Sequence, residues 1–283
     1  MLVIRRRQAL KKSIRSFKNK KETVGFVPTM GYLHEGHLSL VRRARRENDR
    51  VVVSIFVNPL QFGPREDFAT YPRDLNRDTK KLRSEKADVL FVPDAARFYP
   101  KDFQTSVSVA KLNHSLCGAT RPTHFTGVAT VVLKLLNLVS PDTLYLGQKD
   151  YQQFRVIEQM VKDLNVPVNV RLCPIVREKD GLAMSSRNVH LDAEERAQTA
   201  SLNRALGLAE SLIRRGIRNT EKLKQAMRKE LSAASRARID YAEIVDAESL
   251  SPVVQLKNGQ KAALAVAVFF SKTRLIDNRL VRV

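Results

Sequence analysis

The chain has no tryptophan, and aromatic residues make up only 6% of its 283 residues. It has two cysteines, Cys117 and Cys173, far apart and without metal-like spacing. That excludes a disulfide framework and a Cys-rich zinc site, and it points to a reduced, cytoplasmic setting with both thiols buried. No apolar run approaches the roughly 18 residues that span a bilayer; the longest, Ala262 to Phe270, is only strand-sized. Met1-Leu-Val-Ile is followed at once by Arg5-Arg6-Arg7, which is not the pattern of a secretory signal. Acid is scarce too. Residues 1–21 hold nine basic side chains and no acidic one, and the whole chain carries +21. Such a field attracts polyanions. With no recognition module and no interleaved aromatics, however, nucleic acid is not the favoured partner. Leu10, Ile14 and Phe17 fall at helical spacing, so this basic segment reads as part of the fold rather than as a presequence.

The remaining composition is that of a globular protein, with 43% hydrophobic and 28% charged residues, long enough for one large domain or two unequal ones. Short β-branched or aromatic runs recur at Val24–Pro28, Val51–Val57, Val89–Pro93, Thr143–Leu146 and Val168–Val176. Helical patterns lie between them, for example Leu38/Val41/Ala44, Leu75/Thr79/Leu82, and the stretch from Val128 to Val139. This alternation predicts an α/β fold with a mostly parallel sheet covered on both faces, and a ligand at the carboxyl ends of strands near a switch in strand order. Past residue 187 the texture changes. Residues 192–215 and 219–235 read as helices, then Tyr241–Val245, Ala262–Phe270 and Leu275–Val281 as strands. We therefore expect domains at 1–187 and 188–283, the second a small α+β unit.

The segment from Val24 to Val41 carries the clearest chemistry. A strand ends at Pro28, a Gly-containing turn follows, and a helix begins near Gly36. His34 and His37, three apart across that start, face the same way if the first turn is helical. Unpaired N–H groups at a helix start favour anions, and two imidazoles beside them form a phosphate cradle. A zinc pair and isolated core histidines are the competing readings. The first lacks a third ligand nearby.

The His-x-Gly-His pattern resembles the signature of class I aminoacyl-tRNA synthetases and small nucleotidyltransferases, and it implies a Rossmann-like nucleotide-binding domain. Six blocks in order are more specific. They are Pro28-Thr-Met-Gly-Tyr-Leu-His-Glu-Gly-His37, Ser54-Ile-Phe-Val-Asn-Pro-Leu-Gln-Phe62, Tyr71-Pro-Arg73, Arg121-Pro-Thr-His-Phe-Thr-Gly-Val128, Gly147-Gln-Lys-Asp-Tyr-Gln-Gln153 and Asp180-Gly-Leu-Ala-Met-Ser-Ser-Arg-Asn188. Together they are similar to the pantoate–β-alanine ligases nearly end to end.

The resemblance implies an ATP-dependent, AMP-forming ligase that joins pantoate to β-alanine through a pantoyl adenylate. It implies that His37, His34, Lys149, Ser185, Ser186 and Arg187 carry the catalysis. ATP would be contacted by Met30, Gly31, Tyr32, Leu33, His34, Glu35, Gly36 and His37. Its other contacts would be Gly147, Gln148, Lys149, Asp150, Val176 through its backbone, Met184, Ser185, Ser186 and Arg187. Pantoate would meet Gln61, Gln153, Met30 and Asn58, with Val131 and Phe62 adding apolar wall. Mg²⁺ would travel with ATP without a dedicated protein site, Asp74 and Asp78 being at most peripheral to it. The family also implies a homodimer and no membrane association. The C-terminal domain would act as a lid over the adenylate.

Three features depart from the family pattern. Thr123 stands where glycine is usual, which would strain a backbone of positive φ. Leu146 replaces a common aromatic, and the +21 charge is far from what the family leads one to expect. Two other readings remain: a sister nucleotidyltransferase acting on a different acid or phosphate, and a basic RNA-binding protein built on a synthetase-like core.

Overall fold

The computed structural model describes residues 1–64 and 66–283. By its contacts the chain divides into two units. The first comprises Met1–Asn113, Arg121–Gln148 and Gln153–Pro174; the second comprises His114–Thr120, Lys149–Gln152 and Ile175–Val283.

From Met1 to Pro174 the elements run β1 (Leu2–Ile4), α1 (Arg7–Asn19), β2 (Val24–Thr29), α2 (Glu35–Glu47), β3 (Arg50–Ile55), α3 (Leu75–Ser84), β4 (Val89–Phe91), α4 (Ala95–Phe98), α5 (Cys117–Thr120), α6 (His124–Val139), β5 (Thr143–Gly147), α7 (Tyr151–Asp163) and β6 (Asn169–Cys173). A single 3-10 turn at Pro59–Gln61 follows β3. The six strands form one parallel sheet in the order β1-β4-β3-β2-β5-β6. All five predicted strands are present. β1 was not predicted, because only Ile4 of its three residues is buried and it is a strand by virtue of pairing with Val89–Phe91.

Burial holds this unit together more than local propensity does. The first turn of α2 holds Gly36 and His37, both weak helix formers, and a glycine inside a helix costs about 1 kcal/mol. Leu40, Val41 and Ala44 of α2 are buried in one cluster with Val27, Val51, Val53, Leu82 and Leu90. Each buried Leu or Val contributes about 1.5–3 kcal/mol, so packing outweighs the glycine. The chain moves outward from β2 through β3 to β4, then restarts at β5 on the other side of β2. Gly25 pairs with Thr143 and Phe26 with Leu144, so Thr29 and Gly147 end their strands at one level. Those two carboxyl ends flank the switch point, where open α/β sheets bind ligands.

The second unit holds α8 (Ala193–Gln198), α9 (Ser201–Arg214), α10 (Thr220–Ser232), β7 (Ala237–Asp246), β8 (Lys261–Phe270) and β9 (Thr273–Arg282). Its strands form an antiparallel sheet, β7-β8-β9. Leu202, Leu206, Ala209 and Ile213 of α9 pack with Leu223, Met227 and Leu231 of α10 and with Leu264, Val266 and Val268 of β8 in one core. The helix predicted over 192–215 is two helices. The Thr199 hydroxyl donates to the Arg196 carbonyl at 2.8 Å, a side-chain bond that competes with the helical ladder where the break occurs. Residues 175–187, placed by sequence with the first domain, group with this unit. They form a hairpin in which Arg177 bridges Ala183 and Glu178 N–H donates to Leu182 O at 2.8 Å.

Cys117 and Cys173 are both buried and free. Among the described residues, no helix is long and apolar enough to cross a membrane.

Candidate active site

In the first unit the site starts where β2 ends. Thr29 Oγ1 donates to the Ser54 carbonyl at 2.8 Å and accepts the Gly31 N–H at 3.2 Å. Gly31 has φ +88°, and a Cβ there would lie 2.9 Å from Ile55 Cγ2, so this corner requires glycine. The next two N–H groups, of Tyr32 and Leu33, each donate to the Asp78 carboxylate at 2.7 Å. Lys81 Nζ donates to the Leu33 carbonyl at 2.7 Å, and the Arg77 guanidinium lies over the Tyr32 ring at 4.6 Å. Three α3 residues thus clamp the turn. Burial pushes the Asp78 carboxyl above its ordinary value, while the two N–H bonds pull it down.

The clamp redefines what this loop offers an anion. The Tyr32 and Leu33 N–H groups are already taken by an internal carboxylate. Leu33 itself is fully buried, and the exposed Glu35 pairs with Arg42. The loop then enters the first turn of α2 with its two imidazoles. His34 is the N-cap and His37 the third helical residue. Their ring centroids are 4.0 Å apart, tilted by 41°. His37 Nδ1 accepts the His34 backbone N–H at 3.3 Å, the place a Glu or Gln takes in an ordinary capping box. That bond puts the proton of the neutral ring on Nε2, at the far edge of the imidazole. For the zinc reading, no group of three or more His, Cys, Asp or Glu side chains suited to a metal occurs among the described residues.

A buried amide pair adjoins this turn. Asn58, 1% exposed, donates from Nδ2 to Gln61 Oε1 at 3.1 Å and to the Gly127 carbonyl at 3.0 Å. Its Oδ1 accepts from Tyr99 OH at 2.9 Å. With Gln61 Oε1 so occupied, the amide turns its NH₂ to Met30, 3.1 Å from Nε2 to Sδ. Gln61 therefore presents a donor beside Met30, in an orientation set by Asn58. Gly127 makes room for this: a Cβ there would lie 2.2 Å from the Leu60 carbonyl oxygen. The Gln61 carbonyl contacts His124 Nδ1 at 2.9 Å and Arg121 Nη2 at 3.3 Å, and Arg121 also pairs with Glu66. Val131 is buried on α6, and Phe62 meets Phe68 and Tyr71 edge-on. Thr123 has φ −94°, in the right-handed helical region, so the residue in place of glycine is unstrained. At the end of β5, Leu146 is buried and a Cβ on Gly147 would meet nothing within 4 Å. Gln148 follows in the 3-10 turn, and Gln153 is half-buried on α7.

The second unit carries the other predicted residues. Lys149 Nζ lies 3.4 Å from Asp150 Oδ1, and the Lys149 carbonyl accepts from Asn278 Nδ2 at 3.0 Å. The backbone of Val176, expected from the resemblance to meet ATP, already accepts the Met184 N–H at its carbonyl at 3.0 Å. Ser185 caps the 3-10 turn Ser186–His190 by accepting the Arg187 N–H at 3.3 Å. Asn188 donates to Glu178 at 2.7 Å and so ties this turn to its hairpin. Arg177 anchors the hairpin to β9 through two bonds to Asp277, at 2.6 and 2.9 Å.

Sequence reasoning missed Asp78 as the loop clamp, Tyr99, Gly127, Asp277 and Asn278. A signal existed for two of them. Asp78 shares the helical phase of Leu75 and Leu82, and Asp277 shares the strand parity of Leu275 and Val281. A carboxylate in a buried phase must be paired or hydrogen-bonded.

A parallel sheet with paired imidazoles at its switch point defines a nucleotide-handling α/β enzyme. Comparison with known proteins narrows this. The chain matches the family described as pantoate-beta-alanine ligase over residues 2–280. It is 54% identical over 280 residues to the pantothenate synthetase of Pseudothermotoga lettingae, covering 99% of each chain. It is 55% identical to that of Thermotoga petrophila, with the same coverage. Among solved structures, the pantothenate synthetase of Thermus thermophilus superposes with a TM-score of 0.93 at 46% identity, covering 99% of both chains. The pantoate-beta-alanine ligase of Francisella tularensis, complexed with beta-gamma ATP and beta-alanine, gives 0.81 at 36% identity, covering 99% of this chain and 97% of that one. The chain belongs to the pantoate–β-alanine ligase family and is an enzyme of pantothenate biosynthesis.

Proposed function

We propose that this enzyme condenses pantoate with β-alanine in two steps at the expense of ATP. The pantoate carboxylate attacks the α-phosphorus of ATP, a new P–O bond forms, and pyrophosphate leaves. The β-alanine amine then attacks the acyl carbon, loses a proton, and displaces AMP. Carboxylate attack on a polyphosphate is repulsive, so catalysis rests on positioning and charge stabilisation.

His37 Nε2–H and His34 donate to the ATP phosphates, with His37 the proton donor to the leaving group. Lys149, Ser185, Ser186 and Arg187 supply a cation, two hydroxyls and a guanidinium for the same charge. Met30, Gly31, Gly36, Gly147, Gln148, Asp150, the Val176 backbone and Met184 complete nucleotide binding, Asp150 accepting from ribose hydroxyls. Tyr32, Leu33 and Glu35 act by shaping the turn, since Asp78, Lys81 and Arg42 engage them. Gln61 donates to pantoate from the NH₂ that Asn58 orients, and Gln153 supplies a second amide. Mg²⁺ neutralises part of the phosphate charge when bound. Asp78, the carboxylate beside the loop, is engaged by two N–H groups, so phosphate oxygens and water would supply most of the ion's ligands. The reading includes a cytoplasmic homodimer and a lid role for the second domain.

The observation that carries this proposal is the locked imidazole pair in a chain that matches the family across residues 2–280. The complex of the Francisella tularensis relative with beta-gamma ATP and beta-alanine supports the substrates. Purified protein should catalyse pantoate-dependent exchange of pyrophosphate into ATP, and β-alanine should then release AMP. Folded protein that does neither, or that exchanges only with a different acid or phosphate, overturns the proposal. Scattering that shows no compaction with ATP and pantoate overturns the lid role, and a monomeric mass by light scattering overturns the dimer.

A further inference from the structure

None of the residues assigned above to the ligase chemistry lies in the basic N-terminal segment. α1 buries Leu10 and Ile14, while Arg7, Lys11 and Arg15 recur every fourth residue on the exposed side with Lys12 beside them. Each such step is about 6 Å along the helix. Arg5 and Arg6 precede the stripe and Lys20 and Lys21 follow it, all exposed. Several arginines elsewhere are matched by acid: Arg42 by Glu35 and Glu85, Arg50 by Glu22 and Asp88, Arg196 by Glu178 and Asp180. Among the described residues of this segment, only Lys18 has an ion-pair partner, Asp142 at 2.6 Å. The first turn of α1 holds no acidic residue, and basic charge there opposes the helix dipole. The stripe thus costs the fold electrostatic energy, with no internal compensation.

We propose that the exposed face of α1 binds the phosphate backbone of a nucleic-acid strand without reading its sequence. The partner follows from what the helix offers. A membrane-surface helix must bury an apolar face among lipids, but the apolar face of α1 is already consumed by Leu10 and Ile14. The Phe17 ring lies under the Arg50 guanidinium, 5.1 Å from its centroid. The lack of a free aromatic, which counts against base recognition in the sequence, leaves no platform for stacked bases and restricts any contact to phosphate. What remains is a row of cations at regular spacing, the requirement for phosphate contacts that release counterions. This inference does not depend on the ligase reading.

The test measures binding of the full chain to a fluorescent 20-nucleotide oligo(U) RNA as salt is varied. With four to six phosphates engaged at about 0.7 each, log affinity should fall with log salt at a slope of about −3 to −4. The triple variant Lys11→Glu/Lys12→Glu/Arg15→Glu changes only exposed side chains. It should weaken binding at least about tenfold at low salt and make the slope shallower by about 2, with no loss of melting temperature and with enzymatic turnover unchanged. Arg5→Gln/Arg6→Gln, outside the helix, should give a smaller loss in the same direction. Leu2 and Val3 remain exposed on β1, so vesicles of anionic lipid form a second arm. Triple-variant affinity within twofold of the parent, a slope near zero, or vesicle binding without RNA binding would overturn the proposal.

Discussion

The turn from Met30 to His37 and the turn from Met184 to Asn188 are held in different ways. The first combines local backbone geometry with a clamp from α3. Gly31 supplies the corner, the two histidines cap their own helix, and one buried carboxylate takes two consecutive N–H groups. The second is tied to its own hairpin by Asn188 on Glu178, and that hairpin is braced by Arg177 on Asp277, one hundred residues away along the chain. A site built on one strand–helix turn and the helix packed beside it keeps its geometry wherever those elements form. A site braced from a far strand exists only once that strand is in place. Removing one brace should therefore damage the second turn globally and the first turn locally.

The largest effect should come from Asp277→Ala. Asp277 is 2% exposed, and its loss leaves Arg177 without its carboxylate; breaking such a pair costs about 3–5 kcal/mol. Denaturant unfolding should show that loss, and Asp277→Asn should recover part of it. Unchanged stability would mean the hairpin does not depend on β9. His37→Ala should do the opposite, leaving stability nearly intact while slowing turnover by about 10²–10³, the scale for removing one electrostatic stabiliser. Rapid-quench assay of adenylate formation checks it, and near-parental turnover would show the role misassigned. A pair of glycines sharpens the contrast within the first unit. Gly127→Ala drives a Cβ into the Leu60 carbonyl and should cost about 1–3 kcal/mol and raise the pantoate KM, whereas Gly147→Ala has open space and should leave melting unchanged.

Acid should weaken both units together. Burial alone would raise Glu66 and Glu210, but Arg121 and Arg279 hold each below its ordinary 4.5. Both groups are depressed acids, so their stabilisation is complete above pH 4.5 and is lost as the pH falls through their folded values. Melting temperature should be flat from about pH 5 to 7 and fall below 4. A rise in that acid range would contradict the pairing. Thr123→Gly should be the mildest change. Since φ is −94°, glycine relieves no strain and should cost about 0.5–1 kcal/mol in entropy. A stabilised variant would show that the position favours glycine.

Much of this was legible in the residues. The five predicted strands come from short β-branched runs, and the histidine pair could be placed because both residues lie within one turn of a predictable helix start. Other features were not legible, for stated reasons. β1 is a strand only through its partner. The break in the helix predicted over 192–215 depends on a Thr199 hydroxyl whose rotamer no periodicity encodes. Asp78 reads as one more polar residue on a charged helix until the loop it serves is known. Its buried phase with Leu75 and Leu82 was the available clue.

By itself the sequence determined the parallel sheet, the small α+β region after it, the capped helix with its two imidazoles, and the family. These depend on periodicity and on neighbours a few residues apart, which a linear string preserves. The tertiary structure decided which N–H groups are already spent on Asp78, which end of the Gln61 amide faces Met30, that Thr123 is unstrained, and that β9 braces a distant hairpin. These are contacts between residues far apart in the chain, and which polar group satisfies which others is settled only when packing brings them within hydrogen-bond reach.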